Sequence, residues 1–81
     1  MSKQALAVQV RLMKNMSKAA LDLETNFANN SAEEKMLFIN EDMELLKVLV
    51  GENSSTYKDM LFKKNAVQAK FYENKSKAEY F

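Results

Sequence analysis

The sequence predicts an all-α protein: a small three-helix bundle, or a helical hairpin with an extended third helix. Three observations carry this. Proline is absent and glycine occurs once, at Gly51, whereas sandwiches and βαβ units need Gly, Pro and Asn-Gly punctuation. Apolar residues recur at spacings of three and four, the period of one helix face. The pattern breaks where helices stop and start, at an Asn-rich stretch, at Gly51 and at the serines after it. The chain of 81 residues holds one domain, residues 1–81, with helices expected at about 3–28, 32–50 and 55–78.

In the first segment Leu6, Val10, Met13, Met16, Ala20, Leu23 and Phe27 form a helical row, widened by Leu12 and Ala19. Lys14, Lys18, Asp22 and Thr25 fall on the other side. The lysines lie toward the N-terminal end and Asp22 and Glu24 toward the C-terminal end, against the helix dipole. Tertiary packing is therefore expected to hold this helix. Asn26–Ser31 reads as the first turn, since Asn tolerates the left-handed backbone. Ser31 is expected to cap the second helix, with Glu34 completing a capping box.

The second segment contains the most apolar stretch, Met36 to Val50. Met36, Ile39, Met43, Leu46 and Val50 make one row, expected to pack on the first helix. Phe38, Leu45 and Leu49 make a flanking row, expected to meet the third helix or a second copy. Leu37 and Val48 lie outside both. Val48-Leu49-Val50 has strand propensity, but it continues the helical spacing. Gly51 is the natural residue to end the helix. The apolar arc is too wide for one neighbour to cover. Phe38, Met43, Leu45, Leu46, Leu49 and Val50 are thus the candidate protein-binding or self-association residues.

Ser54 or Ser55 is expected to cap the third helix. Tyr57, Met60, Val67, Phe71 and Ala78 give it one face, interrupted by Lys64 and Asn74; Phe62, Ala66 and Ala69 give a narrower row. Its last two turns are expected to fray. Lys63, Lys64, Lys70, Tyr72, Lys75, Lys77 and Tyr80 interleave cations with aromatics. Lysines neutralise phosphates and aromatics stack on bases, so these are candidate nucleic-acid contacts. No Arg stands here to read guanine, and Phe71 fits the core face. The plainer reading, core aromatics on a solvated basic helix, carries more weight.

Catalytic constellations are nearly excluded. The chain has no Cys and no His, which removes disulfides, the usual zinc and iron ligands, and Ser-His-Asp or Cys-His machinery. Glu41, Asp42 and Glu44 are the densest acidic cluster, but neighbouring helical residues diverge, so they read as a solvated face. A single glycine rules out a phosphate-cradling loop, and no spacing fits a calcium loop. No enzyme activity, metal or cofactor is expected. Four Asn-x-Ser sequons begin at Asn15, Asn29, Asn53 and Asn74, as expected by chance in a chain rich in Asn and Ser. Met13, Met16, Met36, Met43 and Met60 sit at or near the apolar rows, where they serve equally as gap-fillers or as adaptable partner contacts.

Net charge is +1, so no whole-chain field points to nucleic acid or an anionic membrane. The charges are ordered basic, acidic, basic along the three segments. No apolar run exceeds four residues, far short of a membrane span. Gln9 and Arg11 interrupt any secretory h-region. A cytoplasmic location is the expectation.

A chain this short buries only about 60% of the surface its unfolded form exposes. Without disulfides or metals, oligomerisation is the stabilising device left. The expected function is that of a non-catalytic interaction protein of inhibitor, adaptor or chaperone type. It would bind a protein partner and act as a homo-oligomer, a dimer first. The alternative is a small nucleic-acid-binding or regulatory protein using the C-terminal lysines and aromatics. A ligand held between subunits is a further option that sequence does not test. No motif assigns a family. In composition alone, the chain resembles phage-encoded inhibitors and bacterial secretion chaperones as broad types.

Overall fold

Ser2 opens the first helix, its Oγ accepting a 3.1 Å hydrogen bond from the amide of Ala5. This satisfies one of the amide donors that a helix start leaves unpaired. The computed structural model describes residues 2–25 and 29–79. Three helices follow in order: α1 (Lys3–Thr25), α2 (Asn29–Val50) and α3 (Ser55–Glu79). They pack as a three-helix bundle with extents of 46 × 19 × 15 Å. There is no strand among the described residues. α3 packs on both partners rather than extending as a free arm.

The α1 boundary expected at 28 falls outside the described residues, as does Phe27. α2 is already helical at Asn29. The backbone of Ser31 therefore lies inside its first turn; the Ser31 side chain, and with it the capping box expected with Glu34, lies outside the described residues. Helix ends are the least determined part of a periodicity reading.

α1 buries the expected row only in part: Met16 and Leu23 are core, as are Leu12 and Ala19, which were expected to widen it. Ala5, Val8, Leu12, Met16, Ala19 and Leu23 face the core, while Leu6, Val10 and Met13 are exposed. Both rows have 3–4 spacing, so the period alone does not separate them. The row that is buried brings two small residues, Ala5 and Ala19, into the core, which allows close helix approach. It also sets Arg11 and Asp22 where they meet charges of α2.

On α2 the expected inner row is observed: Met36, Ile39, Met43 and Leu46 are buried and Val50 is half-buried. Ala32 extends it by one turn. These residues, the α1 row as far as Ala19, and Met60 form the main core, with Leu49, Val50, Tyr57, Leu61 and Val67 packed at its edge. Burying one such large side chain stabilises by roughly 1.5–3 kcal/mol. A second cluster of Leu23, Ala32 and Phe71 lies at the far end, and Val67 touches both.

The α2–α3 turn follows the expected chemistry. Gly51 has φ of 87°, the left-handed region that glycine enters without steric cost. Its amide donates to the Lys47 carbonyl at 2.9 Å. Ser54 is the α3 cap: its Oγ accepts from the Tyr57 amide at 3.1 Å and donates to the Gly51 carbonyl at 3.0 Å. One serine thus ties the stop of α2 to the start of α3.

α3 departs from expectation at two points. Phe62, Ala66 and Ala69 do not form a second inner row; all three are exposed. Asn74, which the pattern treats as an interruption, is 0% exposed. Its Nδ2 donates to the Leu23 carbonyl at 2.8 Å. That carbonyl belongs to the last turn of α1, where backbone acceptors lack intrahelical donors. The polar residue is thus a tertiary tie between α1 and α3. Helix continues through these turns to Glu79; the side chain of Ala78 lies outside the described residues.

Candidate interaction surfaces

The acidic cluster on α2 is not a uniform solvated face. Asp42 is 8% exposed. Its two carboxylate oxygens accept hydrogen bonds from Arg11 Nε at 2.8 Å and Nη2 at 2.7 Å. Only the planar guanidinium fork offers this paired geometry. Arg11 is the one arginine in the chain. The bond to Asp42, and then the carboxylate charge, hold the guanidinium pKa above its ordinary value. Glu41 and Glu44 point away and stay exposed. Farther along the same α1–α2 seam, Lys35 Nζ meets Asp22 Oδ2 at 2.7 Å. The cluster therefore aligns two helices and presents no converging carboxylates.

The structure divides the candidate interface residues of α2. Met43 and Leu46 are buried in the bundle's own core, so they are corrected from interface candidates to core residues. Leu49 and Val50 are half-buried at its edge. Phe38 and Leu45 remain exposed, and Leu37 and Val48 join them on the outside of the helix. Glu33, Glu34, Glu41 and Glu44 are interleaved with these four and exposed. The two cations of α2 sit at its flanks instead, Lys35 against Asp22 and Lys47 at 3.6 Å from Glu52. The outer face of α2 is thus apolar and acidic.

A second surface lies between α1 and α3, and of the candidate site residues Lys63 and Lys70 border it. Met13, Met16, Ser17 and Ala20 from α1, with Phe62, Lys63, Ala66 and Val67 from α3, line an open apolar pocket of about 330 Å³. A smaller hollow of about 290 Å³, bounded by Ala20, Glu24, Ala66, Val67 and Lys70, continues it. Ala20 and Ala66 keep the floor low. Leu6 and Val10 share the Met13 face of α1 by their i, i+4, i+7 spacing and are exposed. The signal was present in the sequence as the α1 row assigned to the core. Only the packing shows that it faces outward beside α3.

The lysine–aromatic candidates of α3 do not gather on one face. Lys63, Lys70 and Lys77 recur every seven residues along the α1 side. Each is paired: Lys63 with Asp59 at 2.9 Å, Lys70 with Glu73 at 3.9 Å, and Lys77 with Glu73 at 3.0 Å. The lysine neighbours lower the Glu73 carboxyl pKa, the Lys77 hydrogen bond first. Lys64, Tyr72 and Lys75 fall on other sides of the helix. Lys64 is half-buried, and Tyr72 packs edge-on to Phe71 with ring centroids 5.4 Å apart. Tyr80 lies outside the described residues.

Among the described residues no cluster of three or more His, Cys, Asp or Glu side chains could hold a metal ion. No described helix is long and apolar enough to cross a membrane. Comparison of the chain with protein-family models, curated proteins and solved structures yields no significant match.

Proposed function

We propose that this chain is a non-catalytic interaction protein that works by occupying the surface of a protein partner, as an inhibitor, adaptor or chaperone does. One observation carries the reading. Leu37, Phe38, Leu45 and Val48 are all exposed on the outside of α2, a helix whose inner side already fills the core. Apolar residues grouped on one face, rimmed by carboxylates, have the make-up of a docking surface. The remaining chemistry agrees. There is no His or Cys nucleophile or base in the chain, and the one buried carboxylate among the described residues, Asp42, is held by Arg11. Nucleic-acid binding has less support, because Lys63, Lys64, Tyr72 and Lys75 fall on different sides of α3 by their spacing, and Asp59 and Glu73 stand among the lysines.

The test is site-specific photo-crosslinking in cells that produce the protein. A photoreactive residue at Leu37 or Leu45 is expected to trap a defined protein, and one at exposed Ser76 is not. Equal trapping at all three positions would sink the reading. So would a salt-sensitive shift of DNA or RNA by the purified chain that Lys63→Ala, Lys64→Ala and Lys70→Ala together remove.

A further inference from the structure

We infer that the partner of the α2 outer face is the α1–α3 groove of a second copy of this chain, so that copies associate head to tail. The inference rests on the interaction reading above and names the occupant.

The two surfaces complement each other in charge, chemistry and length. The outer face of α2 carries Glu33, Glu34, Glu41 and Glu44 around Leu37 and Val48, and its two lysines are turned to the flanks. The groove carries Met13, Phe62, Ala20 and Ala66 along its floor and walls. Lys63 and Lys70 line it, Lys77 follows them at the same seven-residue spacing, and Asp59 and Glu73 stand among these lysines, with Glu24 of α1 on the opposite wall. Those local pairs are exposed and worth little individually. They can therefore give way to carboxylates arriving from a partner. Glu34 and Val48, like Lys63 and Lys77, stand fourteen positions apart, about 21 Å at 1.5 Å rise per position. The acidic-apolar ridge and the lysine-edged groove therefore match in length. The small residues Ala20 and Ala66 leave room for the ridge side chains.

In a three-helix bundle the groove between two helices lies opposite the third. The α2 ridge and the α1–α3 groove are thus on opposite sides of the molecule. A contact between them is heterologous: each copy that fills one groove presents a fresh ridge. Such contacts produce a ring if the rotation closes and an open chain of copies if it does not.

Two exposed residues give the test. Phe62 is 77% and Val48 is 81% exposed, so replacing either leaves the core intact. Sedimentation velocity on the purified chain is expected to show association that grows with concentration beyond a dimer and weakens with salt. Phe62→Glu removes the groove and Val48→Glu removes the ridge. Each variant alone is expected to be monomeric, while their equimolar mixture forms a one-to-one complex that grows no further. Circular dichroism confirms that each variant is folded. Should one misfold, Ala66→Arg replaces the groove variant and Leu37→Glu the ridge variant.

A wild-type chain that stays monomeric at millimolar concentration overturns the inference. So does association that survives both substitutions. Loss in both variants without recovery on mixing also overturns it, because that is the mark of a symmetric interface. A monomeric chain that still crosslinks a different protein through Leu37 defeats this inference and leaves the interaction reading standing.

Discussion

The side-chain amide of Asn74 donates a 2.8 Å hydrogen bond to the backbone carbonyl of Leu23 across the α1–α3 interface. Asn74 Oδ1 is buried with no hydrogen-bond partner among the described residues. The residue thus links the last turn of α1 to α3 through one half of its amide. Asn74→Ala removes the donor and is expected to destabilise by about 1–3 kcal/mol, read as a lower urea midpoint. Asn74→Asp is expected to be worse at neutral pH, since it sets a carboxylate against a carbonyl. Burial raises that carboxyl's pKa above its unfolded value. The penalty is therefore smallest below the ordinary aspartate range and grows as pH rises through it. A wild-type midpoint for Asn74→Ala would remove the tie from the account of the fold.

Arg11 and Asp42 should behave as a unit. Arg11→Ala leaves a mostly buried carboxylate without its fork of donors. The Arg11 side chain is half exposed, so water compensates in part, and the expected loss is about 1–2 kcal/mol. Arg11→Lys should recover only part of it, because an ammonium is a point charge and cannot form the bidentate pair. A double-mutant cycle with Asp42→Asn measures the coupling. The guanidinium, raised in pKa, keeps its contribution below its unfolded value and loses it only as pH rises through the folded one. That point lies beyond any working pH, so this side of the pair adds no pH dependence.

At Gly51 the strain is purely conformational. A Cβ added there would meet nothing within 4 Å, but φ of 87° costs an L-residue about 1–2 kcal/mol. Gly51→Ala is expected to lower stability by that amount, and Gly51→Asn by less, because Asn tolerates the left-handed region. If Ala and Asn variants unfolded at the same urea concentration, backbone preference would not be the deciding term.

Met60 and Phe62 are two residues apart with opposite roles. Met60 is fully buried, and Met60→Ala is expected to cost about 2–5 kcal/mol through lost contact and cavity formation. Phe62→Ala should change stability by no more than about 0.5 kcal/mol. Thermal melts of the two variants at the same dilute concentration check this. Similar melting temperatures would mean the assigned inner face of α3 is wrong.

Acidification should loosen the C-terminal end of α3. Glu73 is bonded to Lys77 and faces Lys70, and its carboxyl pKa is lowered. A lowered carboxyl contributes stability above its unfolded value and loses it as pH falls through the folded one. The group is exposed, so the effect is local and small. NMR Cα shifts of residues 73–77 are expected to lose helical character at low pH, and Glu73→Gln should show the same shifts at neutral pH. Identical shifts in both proteins at neutral pH would show that these pairs do not hold the end of the helix.

The inner row of α2 was legible because it is the longer of two apolar rows, running unbroken from Met36 to Leu46 while the Phe38 row lacks a member at Asp42 or Glu41, and the Gly51 stop because only one glycine exists to make it. The α1 face was legible only in part: Leu12, Met16, Ala19 and Leu23 were among the expected core residues, Ala5 and Val8 were not. Its apolar residues cover more than half the helix circumference, and two rows share the same period. The sites followed suit: Phe38 and Leu45 stand exposed on α2, whereas Met43 and Leu46 are core, and Met13 and Ala20, whose spacing pointed to the core, line the groove beside Phe62. By itself the sequence determined three helices and most of their limits, because periodicity, caps and glycine act over a few residues. Only the tertiary structure decided which α1 row turns inward, that Arg11 reaches Asp42 and that Asn74 reaches Leu23. Each of those depends on the rotation of one helix against another, which is set by packing between residues far apart in the chain.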